Sequence, residues 1–147
     1  ELMLTDSVLI GGEESGGVGT SLHIPERDGV FNNLLLCEAL AKKKMTLGQA
    51  VEEIFAEFGR VFYDRIDFHT TEQNKKAILA ACAKGLAKLG AFPVRGTGTI
   101  DGYKFRVDGG WLLIRASGTE PILRFYAEAD TAQKVAALLK AAMNIGK

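Results

Sequence analysis

Two short apolar-rich runs, Trp111-Leu-Leu-Ile-Arg115 and Ile122–Ala129, flank the stretch Arg115-Ala-Ser-Gly-Thr-Glu-Pro121. Short apolar runs bounded by turn residues are the mark of strands with a buried face, so the two runs read as neighbouring strands joined by a short loop. The loop carries a fixed cation, two hydroxyls and a glycine, and Pro121 leads into the second strand. Such a set suits a phosphate dianion. Arg115 can donate in bidentate fashion, Ser117 and Thr119 add hydroxyl donors, and Gly118 lets backbone N–H groups approach an anion. An ordinary glycine hairpin whose arginine makes a surface ion pair accounts for the same spacing.

A second glycine loop, Gly11-Gly-Glu-Glu-Ser-Gly-Gly-Val-Gly19, follows the apolar run Val8-Leu-Ile10, read as a strand. No Gly-Lys-Ser/Thr follows the glycines, which excludes a nucleotide P-loop. His23-Ile-Pro25 interrupts the helix that a dinucleotide fingerprint would open. Two carboxylates would repel a phosphate, so the loop suits a neutral polyol. A carboxylate can accept hydrogen bonds from two adjacent sugar hydroxyls, while a serine both donates and accepts.

Together the two loops resemble a known family. Gly12-Glu-Glu-Ser-Gly-Gly17 is similar to the sugar-recognition loop of the α-D-phosphohexomutases, the phosphoglucomutase/phosphomannomutase family, and Arg115-Ala-Ser-Gly-Thr-Glu-Pro121 to the phosphate-binding loop of its last domain. His23-Ile-Pro-Glu-Arg-Asp-Gly29 resembles the bacterial and archaeal branch. The resemblance implies that Glu13 and Ser15 hold sugar hydroxyls, and that Arg115, Ser117, Gly118 and Thr119 hold the phosphate that is not transferred. It also implies a cytoplasmic parent enzyme with a magnesium ion and a glucose 1,6-bisphosphate-type activator. Its partners would be a phosphosugar substrate and the enzyme's remaining domains. The chain has no Thr/Ala-Ser-His-Asn/Asp-Pro segment for a phosphoserine and no Asp-x-Asp-x-Asp-Arg run for the metal. It is therefore expected to be an inactive C-terminal portion, with no catalytic or metal-binding residue of its own. Gly17 stands where some relatives have histidine, and Glu-Glu-Ser replaces the Glu-Gln-Ser of phosphoglucosamine mutases, which favours the glucose/mannose branch. A phosphoglucosamine mutase portion and a non-catalytic sugar-phosphate-binding module are the alternatives.

Along the chain, Asp28 is placed to cap a helix over 29–43 with Val30, Leu34, Cys37 and Ala41 as its apolar stripe. Thr46-Leu-Gly-Gln49 fits a capping box opening a helix that carries Leu47, Val51, Ile54 and Phe58 on one face. Residues 62–68 alternate as a strand, and Thr70-Thr-Glu-Gln73 precedes a helix predicted over 72–89 with Ile78, Cys82, Leu86 and Leu89 in register. A hairpin turning at Asp108-Gly-Gly110, the strand Ile122–Ala129 and a last helix after Asp130, with Val135, Leu138, Leu139 and Ala142 facing the core, complete the order β-α-β-β-β-α. That order predicts an α+β domain over 59–147, a four-stranded, mainly antiparallel sheet with two helices on one face. The resemblance makes this domain four, TATA-binding-protein-like, and makes 1–58 the end of an α/β domain three.

Other residues invite bland readings. His23 is read as closing its loop with a structural hydrogen bond, Arg27 as solvated or paired, Arg124 as supporting the sheet or the loop, and Trp111 as packing. With 18 basic and 18 acidic residues the chain lacks the basic surface of a general nucleic-acid binder. No apolar run approaches the roughly 18 residues of a membrane span. Cys37 and Cys82 sit among apolar residues without a CxxC, and both are read as buried free thiols.

Overall fold

The computed structural model of the chain describes residues 8–13, 16–118 and 122–146. It divides into two units, Glu1–Phe58 and Gly59–Lys147.

In the first unit, β1 (Ile10–Gly12) and β2 (Val18–Thr20) form an antiparallel hairpin with Ile10 opposite Thr20 and Gly12 opposite Val18. The strand expected over Val8-Leu-Ile10 therefore starts at its last residue and continues into the glycines. Backbone pairing defines it, since Leu9 and Ile10 both remain exposed. Helix α1 (Gly29–Lys43) begins at Asp28, whose carboxylate accepts from the N–H groups of Val30 and Phe31. It ends at Lys44 in the left-handed conformation. Helix α2 (Leu47–Phe58) opens on a reciprocal capping box: Thr46 N–H donates to Gln49 Oε1 at 2.8 Å, and Gln49 N–H to Thr46 Oγ1 at 3.3 Å. Neither helix has a fully buried residue. Val30, Leu34, Ile54 and Phe58 are exposed, so these apolar stripes carry the expected spacing but are not buried. Cys37 shares that exposure, which corrects its reading as a buried thiol.

The second unit runs β3 (Phe62–His69), α3 (Glu72–Ala83), β4 (Lys88–Leu89), β5 (Phe92–Pro93), β6 (Gly96–Gly98), β7 (Tyr103–Val107), β8 (Gly110–Ala116), β9 (Ile122–Ala129) and α4 (Ala132–Ala142). Its main sheet is antiparallel, in the order β3-β9-β8-β7-β6, and β4 and β5 pair separately. The sheet thus has five strands where four were expected. The extra strand β6 is Gly-Thr-Gly, which has no apolar alternation to announce it. Helix α3 stops at Ala83 instead of reaching 89, because Gly85 turns the chain at φ +85. Leu89 still enters the core, but from β4.

One face of the sheet carries the core. Phe105, Leu112, Ile114, Leu123 and Phe125 are fully buried there. Ile78 and Cys82 from α3 pack on them, with Val135, Leu138, Leu139 and Ala142 from α4. Burying side chains of this size contributes about 1.5–3 kcal/mol each before entropy is counted, so this seam holds the unit together. Thr71 and Thr131 cap the two helices by accepting from Asn74 N–H and Lys134 N–H. Among the described residues no helix is long and apolar enough to cross a membrane.

The two cysteines consequently differ in reactivity. Burial pushes the Cys82 thiol up to about 11, while Cys37 is open to solvent. Ellman titration of the folded chain near pH 8 is expected to modify one thiol rapidly and the second only after denaturation. Two rapid equivalents would contradict the packing of α3.

Candidate functional site

Strands β8 and β9 pair so that Arg115 lies directly opposite Arg124, and Arg124 lies opposite Asp67 of β3. Alternation sends all three side chains to the face away from the core. Like charges directly opposite one another repel, so this pair needs compensation. Arg115 Nε meets Asp101 Oδ1 at 3.2 Å, while Asp67 Oδ1 lies 3.3 Å from Arg65 Nε and 4.0 Å from Arg124 Nε. Arg124 Nε is buried and has no hydrogen-bond partner among the described residues. Gly102 allows Asp101 its position: its φ is +90, and a Cβ there would clash with Ile114 O.

The loop after Arg115 is closed by Ser117 N–H donating to Ile122 O at 3.0 Å. On its other side, Lys75 Nζ of α3 donates to Ser117 O at 2.8 Å. Gly118 stands in open space, where an added Cβ would meet nothing within 4 Å. Thr119 lies outside the described residues. An Arg115 guanidinium held at Nε keeps two Nη groups for bidentate donation to an anion.

In the first unit, Glu13 sits at the tip of the β1–β2 hairpin. Its N–H donates to Gly17 O at 2.9 Å, and Gly16 N–H, at φ +88, returns to Glu13 O at 3.1 Å. Arg27 Nη1 donates to Glu13 Oε1. Gly17 lies beneath this ion pair; a Cβ there would be 3.0 Å from Arg27 Cδ and 3.1 Å from Glu13 Oε2. Gly11, Gly12, Glu13, Gly17, Pro25 and Arg27 help line an open cavity of about 460 Å³. His23 hydrogen-bonds Asp28 at 3.0 Å and stacks on Phe31 with ring centroids 4.4 Å apart, a structural role. Glu14 and Ser15 lie outside the described residues.

The structure therefore brings Arg115, Ser117 and Gly118 together around one loop, and Glu13 to the rim of a cavity. It adds three residues that the sequence reading passed over or read as bland. Arg27 pairs with the Glu13 carboxylate, Asp101 holds Arg115, and Lys75 reaches Ser117 from 42 positions away. Local spacing carries no signal for the last two. Arg27 was legible only as a charge near a helix start.

The sequence matches the family description "Phosphoglucomutase/phosphomannomutase, C-terminal domain" over residues 33–145. It matches "Phosphoglucomutase/phosphomannomutase, alpha/beta/alpha domain III" over residues 1–58. It is 36% identical over 132 residues to a phosphoglucomutase/phosphomannomutase of Thermococcus kodakarensis, covering 90% of this chain and 27% of that protein. To a phosphoglucosamine mutase of Methanocaldococcus jannaschii it is 28% identical, covering 100% of this chain and 31% of the relative. A solved structure from Thermus thermophilus, provisionally assigned as a phosphomannomutase, superposes with a TM-score of 0.70 at 35% identity. That match covers 92% of this chain and 26% of the other. The chain thus spans between 26% and 31% of the length of these relatives.

Asp28 anchors the segment that carries Arg27 and His23. Hydrogen bonds from Phe31 N–H and then from His23 hold its carboxyl below the ordinary 3.8. A depressed folded value means the cap's stabilisation is present above the unfolded value and is lost as pH falls through the folded one. A carbon-detected NMR titration should find the Asp28 midpoint below 3.8. A midpoint at or above that value would remove the cap from the account.

Proposed function

Because this chain belongs to the phosphoglucomutase/phosphomannomutase family, we propose that it is the substrate-gripping portion of an enzyme that interconverts hexose 1-phosphates and hexose 6-phosphates. The observation that carries this reading is the pair of arginines directly opposite each other on β8 and β9, one with a buried Nε lacking a hydrogen-bond partner among the described residues, beside an open glycine loop. A doubly charged phosphate on Arg115, Ser117, Gly118 and Thr119 relieves the repulsion between the two arginines and uses the two Nη groups that Asp101 leaves available. Residues 59–147 then form domain four with its phosphate loop, and 1–58 end domain three with the sugar loop.

A 1,6-bisphosphate intermediate presents either end of the sugar to the reacting centre. One phosphate must be held while the other reacts, and Arg115 with its loop holds it. Glu13 and Ser15 take adjacent sugar hydroxyls, contacts that serve either orientation. Arg27 fixes the Glu13 carboxylate before substrate arrives, so less ordering is required on binding. Binding energy from the remote phosphate orients the reacting end. The phosphoserine and magnesium ligands belong to the rest of the enzyme, and this chain alone is inactive. Among the described residues no group of three or more His, Cys, Asp or Glu side chains is placed to hold a metal ion. The exposed apolar residues of α1 and α2 form the face that the rest of domain three covers. The similarity to the Methanocaldococcus jannaschii enzyme along the whole chain supports a phosphoglucosamine mutase as the second reading.

In the whole enzyme, Arg115→Ala is expected to lower kcat/KM at least about a hundredfold, corresponding to about 2.7 kcal/mol of transition-state binding. An unchanged kcat/KM would overturn the phosphate assignment. Glu13→Gln should impair glucose and mannose phosphates alike. Loss on one sugar alone would show that Glu13 does not read hydroxyls common to both.

A further inference from the structure

We propose that Lys75 is a positioning residue of the phosphate loop, setting the Ser117–Gly118 peptide in a conformation that receives an anion. The inference rests on reading that loop as a phosphate site. Lys75 lies at the end of the first turn of α3, and its side chain is only 12% exposed. A lysine that gives up hydration must recover it in hydrogen bonds. Here Nζ donates to Ser117 O at 2.8 Å and lies 3.6 Å from Glu72 Oε1 in the same turn. The helix end that carries it is fixed by the Thr71 cap, and Lys75 N–H donates to Thr71 O at 2.9 Å.

Ser117 is therefore clamped at both backbone groups, its N–H by Ile122 and its carbonyl by Lys75. The chain has no cis peptide among its described residues, so the following N–H, that of Gly118, points opposite to the Ser117 carbonyl. Lys75 thus anchors on the helix side a carbonyl oxygen that would repel a phosphate, and turns a donor the other way. Gly118 itself has no side chain, and an added Cβ there would meet nothing within 4 Å among the described residues. A lysine from a rigid helix supplies the constraint and adds a positive charge beside the loop.

The test is an NMR titration of the 147-residue chain with glucose 6-phosphate, comparing wild type, Lys75→Met, Lys75→Arg and Arg115→Ala. Lys75→Met is expected to shift the Gly118 amide resonance before ligand is added and to weaken binding about tenfold. Lys75→Arg, which can still donate to the carbonyl, should restore both. Arg115→Ala should abolish binding while leaving the ligand-free Gly118 resonance near its wild-type position. If Arg115→Ala abolishes binding and Lys75→Met binds as wild type, the role of Lys75 is overturned and the phosphate site stands. If wild type does not bind, or Arg115→Ala binds normally, the phosphate site itself falls and the inference with it. Should Lys75→Met lose its fold, Lys75→Gln takes its place: a neutral, shorter donor, it is expected to bind about tenfold more weakly. Wild-type affinity in that variant would likewise overturn the proposal.

Discussion

The antiparallel register of β8 with β9 is the constraint on which the second unit depends. It places Leu112, Ile114, Leu123 and Phe125 on the helix-covered face, where they are fully buried. The same register puts Arg115 against Arg124 on the opposite face and closes the intervening loop at Ser117 and Ile122. A slip of one residue would invert both faces, sending the arginines into the core and the leucines to solvent. Burial of the apolar face therefore stabilises an arrangement of like charges that would not form alone. The Arg115 loop is held in place by the core behind it.

The loop's remaining geometry comes from outside the hairpin. Asp101 reaches Arg115 because Gly102 permits a close approach to β8, and Lys75 reaches Ser117 because α3 packs on the sheet through Ile78 and Cys82. The β1–β2 loop is built differently. It is a two-stranded hairpin with few buried contacts, and its carboxylate is held by an ion pair from the segment before α1. One loop is thus fixed by a packed core and the other by local charge.

Much of this was legible in the sequence where a periodic pattern met a buried face. The strands β8 and β9 and the helix α4 with Val135, Leu138, Leu139 and Ala142 are of this kind. Patterns failed where apolar spacing outlived its element. Ile78, Cys82, Leu86 and Leu89 read as one helix face, yet Gly85 ends the helix and Leu89 packs from a strand. The strand Gly96–Gly98 has no side-chain pattern to read and is seen only through its pairing with β7. Cys37 looked buried because its stripe is apolar, but burial also needs a partner surface. The long-range contacts of Lys75 and Asp101 leave no local trace; only the fold brings them to the loop.

The most direct test of the phosphate site is a crystal structure of the whole enzyme with a bound hexose 6-phosphate in its non-transferred orientation. The phosphate is expected within hydrogen-bond distance of the Arg115 Nη groups and the Gly118 N–H, with Lys75 still on the Ser117 carbonyl and sugar hydroxyls on Glu13. A phosphate bound elsewhere, with Arg115 paired only to Asp101, would contradict it.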